Sequence, residues 1–202
     1  MKKESLFDIR NLTIMAMMGA LAAVLMIFEF PLPFIAPPFY KLDVSEIPVL
    51  IGAFMMGPVA GVIIEMVKIL LNLIMDGTTT AFVGEFANFT IGCALVVPAS
   101  IIYRRHKCKK TAIIGMITGS IFMAIAGIFI NAYVMLPFFS TAYGMPMEQI
   151  IGMGAAINPA VSNVLTFCLL TVAPFNVLKG VIVSVVTIVI YKKISILLKG
   201  SH

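Results

Sequence analysis

Long apolar stretches broken by short polar or proline-rich segments fill most of this chain. The first runs from about Leu12 to Phe30 and is long enough to span a bilayer as a helix. The stretch from Pro31 to Pro38 cannot continue it, because prolines remove backbone donors and fix φ. Residues 44–75 are nearly continuously apolar, interrupted at Gly57-Pro58, which is too long for one crossing and short for two. Further runs cover about 81–103 and 111–136. A loop with Pro137, Gly144 and Pro146 follows, then a weaker amphipathic stretch, 147–170, broken at Asn158-Pro159. The last run starts at Pro174 and ends near Tyr191.

Charge placement turns these runs into a topology. Eleven of the 14 lysines and arginines fall in three groups: Lys2, Lys3 and Arg10; Arg104, Arg105, Lys107, Lys109 and Lys110; and Lys192, Lys193 and Lys199. The positive-inside rule puts all three on the cytoplasmic side, so an even number of crossings must separate them. Residues 44–75 then cross twice, turning at Gly57-Pro58, and 147–170 is not a full crossing but lies on or dips into the outer surface. The expectation is an all-α membrane protein with six transmembrane helices, short second and third helices, and both termini cytoplasmic. A single membrane domain, 1–202, would have helices at about 12–30, 44–56, 58–75, 81–103, 111–136 and 174–192, with main outer loops at 31–43 and 137–173.

Composition agrees: 61% of residues are hydrophobic and 11% charged, where a soluble domain carries roughly a quarter charged. The mean hydropathy is +1.09. The polar start, MKKESLFDIRNLT, gives no sign of a cleavable signal peptide. The three cysteines offer no disulfide framework. The basic clusters are accounted for by the membrane interface, so no nucleic-acid partner is expected.

Polar residues inside apolar runs are the candidates for function, since they are costly in lipid unless paired. Glu29 and Glu46 lie near membrane edges, where solvation is the simple reading. Glu65 and Lys68, three apart, read as a structural ion pair. Asn131, Glu85, Asn88, Asn176 and Lys179 are harder to dismiss, and on this topology the last four lie in the outer half. Asn176 and Lys179 share a helix face. The readings left open are a ligand site or an internal network, such as Lys179 with Glu85. The outer half holds no arginine, which argues against a phosphate or polycarboxylate ligand, and the chain has no tryptophan. Amides, one lysine and the aromatics Phe39, Tyr40, Phe82, Phe86, Tyr133, Phe138 and Phe175 suit a flat, largely apolar ring with amide-like edges and an uncharged tail. With only His106 and His202, and no HExxH, DDxxD-like or Walker A sequence, neither catalysis, a metal site nor ATP hydrolysis by this chain is expected. On helix 1, Ala16, Gly19, Ala20 and Ala23 form overlapping small-xxx-small spacings, which by spacing alone favour packing within the protein.

The segments FYKLDVSEIPVLIGAFMMGPVAGVIIEMVKILLNLI, NAYVMLPFF and APFNVLKG together resemble the substrate-binding S components of bacterial energy-coupling factor (ECF) transporters, in particular their riboflavin-specific branch. The resemblance spans Asn11 to Lys193. It implies six helices around an outward-facing vitamin site partly closed by the first loop, with riboflavin as transported ligand and no cofactor. The implied binding residues are Asn131, Asn176 and Lys179, loop residues Phe39, Tyr40 and Leu42, and Gly84, Glu85 and Asn88. Ala16 and Ala20 match a docking motif for a transmembrane coupling protein driven by two ATPase subunits, which reverses the reading from spacing. It further implies a location in the plasma membrane of a Gram-positive bacterium. An S component for another vitamin, such as biotin, and a stand-alone secondary transporter remain the alternatives.

Overall fold

In a computed structural model the described residues are 6–199, with side chains described to residue 190. Lys2 and Lys3, and the side chains of Lys192, Lys193 and Lys199, lie outside them. Helix α1 covers Ile9–Ile27, its first N–H held by Asp8. A hairpin of two short strands, β1 (Phe30–Pro31) and β2 (Lys41–Leu42), closes the proline-rich loop. Then come α2 (Glu46–Met56), α3 (Pro58–Asp76) and α4 (Val83–Arg105). Helix α5 spans Lys109–Ala142 and contains a π-turn at Asn131–Met135. Helix α6 is Met147–Ile157, and α7 runs from Val164–Phe167 through a second π-turn, Cys168–Val172, into Ala173–Lys199.

Among the described residues, five helices are long and apolar enough to cross a membrane: α1, α3, α4, α5 and α7. Helix α2 is apolar but has only 11 residues, roughly 16 Å of rise against a hydrocarbon core of about 30 Å. It is buried from Glu46 to Phe54, and α1, α3, α4 and α7 pack around it. An apolar helix without a polar face belongs in an interior. Gly57, at φ 108°, makes the sharp corner into α3, which Pro58 opens with the φ its ring imposes. Gly61 then lets α3 lie against Ala53 of α2.

The expected outer loop 137–173 is the main correction. Helix α5 continues to Ala142, α6 occupies 147–157, and α7 begins at Val164, ten residues before Pro174. Pro137 and Pro174 read as helix boundaries because a proline has no N–H to donate. Each lies two residues past the end of a π-turn, where the regular ladder is already interrupted and the missing donor does little harm.

Large apolar side chains remain exposed in stripes, Ile117, Ile121 and Ile125 on α5 and Val177, Val181, Val185 and Val189 on α7, as expected for surfaces whose solvent is lipid. Inside, one apolar cluster centres on α2, and a second joins Leu136 and Phe139 of α5 to Ile150 of α6 and Phe167 of α7. On α1 the small residues divide: Gly19 and Ala23 are buried, Gly19 against Val67 of α3, while Ala16 and Ala20 are exposed.

Candidate ligand-binding site

A cavity of ≈ 540 Å³ lies beneath the hairpin, walled by α2, α3, α4, α5, α6 and α7. Its volume falls within the usual range for small-molecule sites.

One wall is made by α5 and α7. Asn131 stands at the start of the π-turn, and its Nδ2 donates to Gly127 O at 2.8 Å, leaving Oδ1 to accept from Tyr40 Oη at 2.6 Å. Asn176 Nδ2 donates back to Val172 O at 3.0 Å. Gly127 permits this pairing of helices, since a Cβ there would overlap the Asn176 amide. One turn on, Lys179 Nζ donates to Asp43 Oδ2 at 2.7 Å and lies 3.9 Å from Glu46 Oε1. Asp43 also accepts from Ser45 N at 2.9 Å, in the turn just before α2. Burial alone would raise the Asp43 pKa, but Lys179, Lys68 and the hydrogen bonds from Lys179 and Ser45 outweigh it and bring it to about 2.

The opposite wall is α3 and α4, with Asn72, Asp76, Thr80, Glu85 and Asn88. Thr80 Oγ1 accepts from Gly84 N at 2.9 Å and donates to Glu85 Oε2 at 3.0 Å. Behind this wall Lys68 Nζ sits 2.8 Å from Glu46 Oε1 and 2.6 Å from Glu65 Oε1, all three completely buried.

Aromatic rings close the upper part. Tyr40 packs 4.8 Å from Phe39, 5.7 Å from Phe175 and 6.4 Å from Phe167, and Phe39 meets Phe139 edge-on at 5.2 Å. Burial, with the nearby Cys168 thiol, pushes the Tyr40 phenol well above its ordinary pKa, so it remains a donor. Tyr143 donates to Thr79 O across the mouth, joining the end of α5 to the loop before α4.

Of the residues singled out from the sequence, Asn131, Asn176, Lys179, Phe39, Tyr40, Gly84, Glu85 and Asn88 all line this cavity. Leu42 does not: it is buried against Ala36 and Phe175 and anchors the hairpin through its pairing with Phe30. Phe82, Phe86 and Tyr133 face outward, at 59%, 56% and 76% exposure. The suggested Lys179–Glu85 pairing is replaced by Lys179–Asp43. Glu46, read as solvated, is fully buried and lines the cavity, as do Asp43 and Asn72. Their signal was thin: DVSE reads as a helix start, and nothing local shows that lysines 22 and 136 residues away complete the cluster.

Chemically, the α5–α7 wall offers two amides and an ammonium group, matched to the edge of a ring that both donates and accepts. The α2–α4 side offers carboxylates, amides and a threonine, suited to hydroxyl groups. The rings between them supply flat apolar contact.

Residues 10–191 match the family described as the substrate-specific component of ECF transporters. The chain is 33% identical over 198 residues to the riboflavin transporter RibU of Staphylococcus aureus, covering 98% of this chain and 97% of that one. It is 27% identical over 187 residues to the riboflavin transporter FmnP of Bacillus subtilis, covering 92% of each. A solved S component of a bacterial ECF transporter superposes with a TM-score of 0.73 at 34% identity, covering 94% of this chain and 98% of that one. A transport component rather than an enzyme, this membrane protein belongs to the ECF transporter substrate-specific components.

Proposed function

We propose that this chain binds riboflavin from outside the cell and delivers it inward together with an ECF module. The observation that carries the reading is the convergence of Asn131, Asn176 and Lys179 on one cavity with Phe39, Tyr40 and Phe139 beside them. The amides and ammonium group grip the imide edge of the isoalloxazine ring, the aromatic side chains bury its faces, and Glu46, Asn88 and Asn72 receive the ribityl hydroxyls. The naming of full-length relatives as riboflavin transporters supports the same ligand.

The chain crosses the plasma membrane of a Gram-positive bacterium six times with both termini in the cytoplasm, so the cavity opens outward. The short α2 is carried across by its neighbours within a locally thinned or tilted bundle. Exposed Ala16 and Ala20 form the smooth face on which a transmembrane coupling protein docks. Two ATPase subunits in that assembly supply the energy for release.

The test is direct. Protein purified in detergent should carry flavin absorption bands, and ligand-stripped protein should quench riboflavin fluorescence on titration. Absence of both effects, with biotin bound instead, would transfer the chain to another vitamin. Uptake that persists in cells lacking the ATPase module would make it a stand-alone transporter.

A further inference from the structure

Lys68 is completely buried on α3, yet it forms no part of the cavity wall. Its ammonium group reaches three acceptors: Glu65 Oε1 at 2.6 Å, Glu46 Oε1 at 2.8 Å and Asn88 Oδ1 at 3.4 Å. The contact to Glu65, three residues away on the same helix, is an ion pair by distance, with neither Glu65 oxygen in a hydrogen bond among the described residues. The other two contacts reach different helices, α2 and α4, and both end on side chains that line the cavity.

Those contacts set which atoms the walls present. With Glu46 Oε1 turned to Lys68, its Oε2 is left without a hydrogen-bond partner among the described residues. A buried unpaired carboxylate oxygen is costly, and a ligand hydroxyl would relieve that cost. With Asn88 Oδ1 turned to Lys68, its Nδ2 is the group free to donate. An acceptor on α2 and a donor on α4 suit a polyol, whose hydroxyls do both. Gly92 makes the arrangement possible, because a Cβ there would strike the carboxylates of both Glu65 and Glu46. Asp43, Lys179, Glu46, Lys68 and Glu65 thus form a buried row of ion pairs whose first three members line the cavity and whose last two lie behind it.

We infer that Lys68 is a positioning residue, holding the Glu46 carboxylate and the Asn88 amide from behind in the orientation that receives the ligand's hydroxyl tail. Asn131, Asn176 and Lys179 hold the ring without its help. The inference rests on the riboflavin reading above, and it divides ring binding from tail binding.

That division supplies the experiment. Riboflavin and lumiflavin share a ring, but lumiflavin carries a methyl group in place of the ribityl chain. Affinities for both are measured by fluorescence titration on the full-length protein and on the double variant Glu65→Gln with Lys68→Met, which removes one buried charge of each sign together. Riboflavin affinity is expected to fall by about tenfold or more, the scale of one or two hydrogen bonds to charged groups, while lumiflavin affinity stays within about threefold. Glu65→Gln alone keeps the bonds from Lys68 to Glu46 and Asn88, and both affinities should hold within about threefold. If the double variant elutes as aggregate, Lys68→Arg decides, since its planar fork keeps the charge but alters the geometry; the same selective loss for riboflavin is expected. Equal losses for the two flavins, or no loss for either, overturn the positioning role while leaving riboflavin binding intact. Wild-type protein that binds neither flavin removes the riboflavin reading and this inference with it.

Discussion

Lys179 of α7 and Asp43 of the first loop meet at 2.7 Å, 136 residues apart in sequence and almost wholly buried. This contact fixes the ammonium group at the cavity wall and ties the hairpin to the last helix. If the ammonium group is a ligand contact, Lys179→Ala should weaken riboflavin binding by about tenfold or more, as should Asn131→Ala, with the protein still folded. Unchanged affinity in both variants, read by fluorescence titration, would place the binding site elsewhere.

The same pair makes stability depend on acid. Asp43 has a folded-state pKa of about 2, below its ordinary value of 3.8, so its contribution is full above about pH 4 and is lost as pH falls through 2. The shift corresponds to ~2 kcal/mol. In detergent, the wild type should lose thermal stability between pH 5 and 2 more steeply than Asp43→Asn. Parallel curves for the two proteins would show that the carboxylate is not held as described.

Gly127 gives a steric test of the amide pair. A Cβ at this position overlaps Asn176, and overpacking of this kind costs about 1–3 kcal/mol. Gly127→Ala should therefore displace the Asn176 amide and weaken riboflavin binding several-fold, while Gly152→Ala, where nothing lies within 4 Å of the added carbon, should leave it unchanged. Equal affinities in the two variants would remove Asn176 from the ring-binding wall.

Docking can be separated from binding on α1. Ala16 is exposed and lines no part of the cavity, so Ala16→Trp adds bulk without touching it. Binding should be retained by the purified variant and uptake by cells lost. Normal uptake would mean that the coupling protein docks on another face.

Much of the architecture was legible because membrane solvation acts locally: a run of apolar residues long enough to span is visible as such. The amides and Lys179 were legible for the same reason, being polar where lipid forbids it. What was hidden depends on distant partners. Glu46 sits near the start of its apolar run and reads as solvated; only the hairpin folding over it, with Lys68 and Lys179 on either side, makes it a buried cavity residue. Leu42 sits in a loop segment full of contacts, and only the strand pairing shows that it faces Ala36 and Phe175 rather than the cavity. The helices within 137–173 were masked by prolines whose usual meaning is cancelled by the preceding π-turns.

The π-turn of α5 has a consequence for how this chain can vary. Inward-facing positions advance along α5 as Met123, Gly127 and Asn131, then skip to Leu136 and Phe139. The step of five absorbs one surplus residue, without which everything beyond Asn131 would rotate by about 100°. Point substitutions there can be repaired by neighbouring side chains, but a single-residue deletion would swing either the amide or the Phe139 ring towards lipid. In residues 131–135 the helix is thus constrained in phase more tightly than in composition.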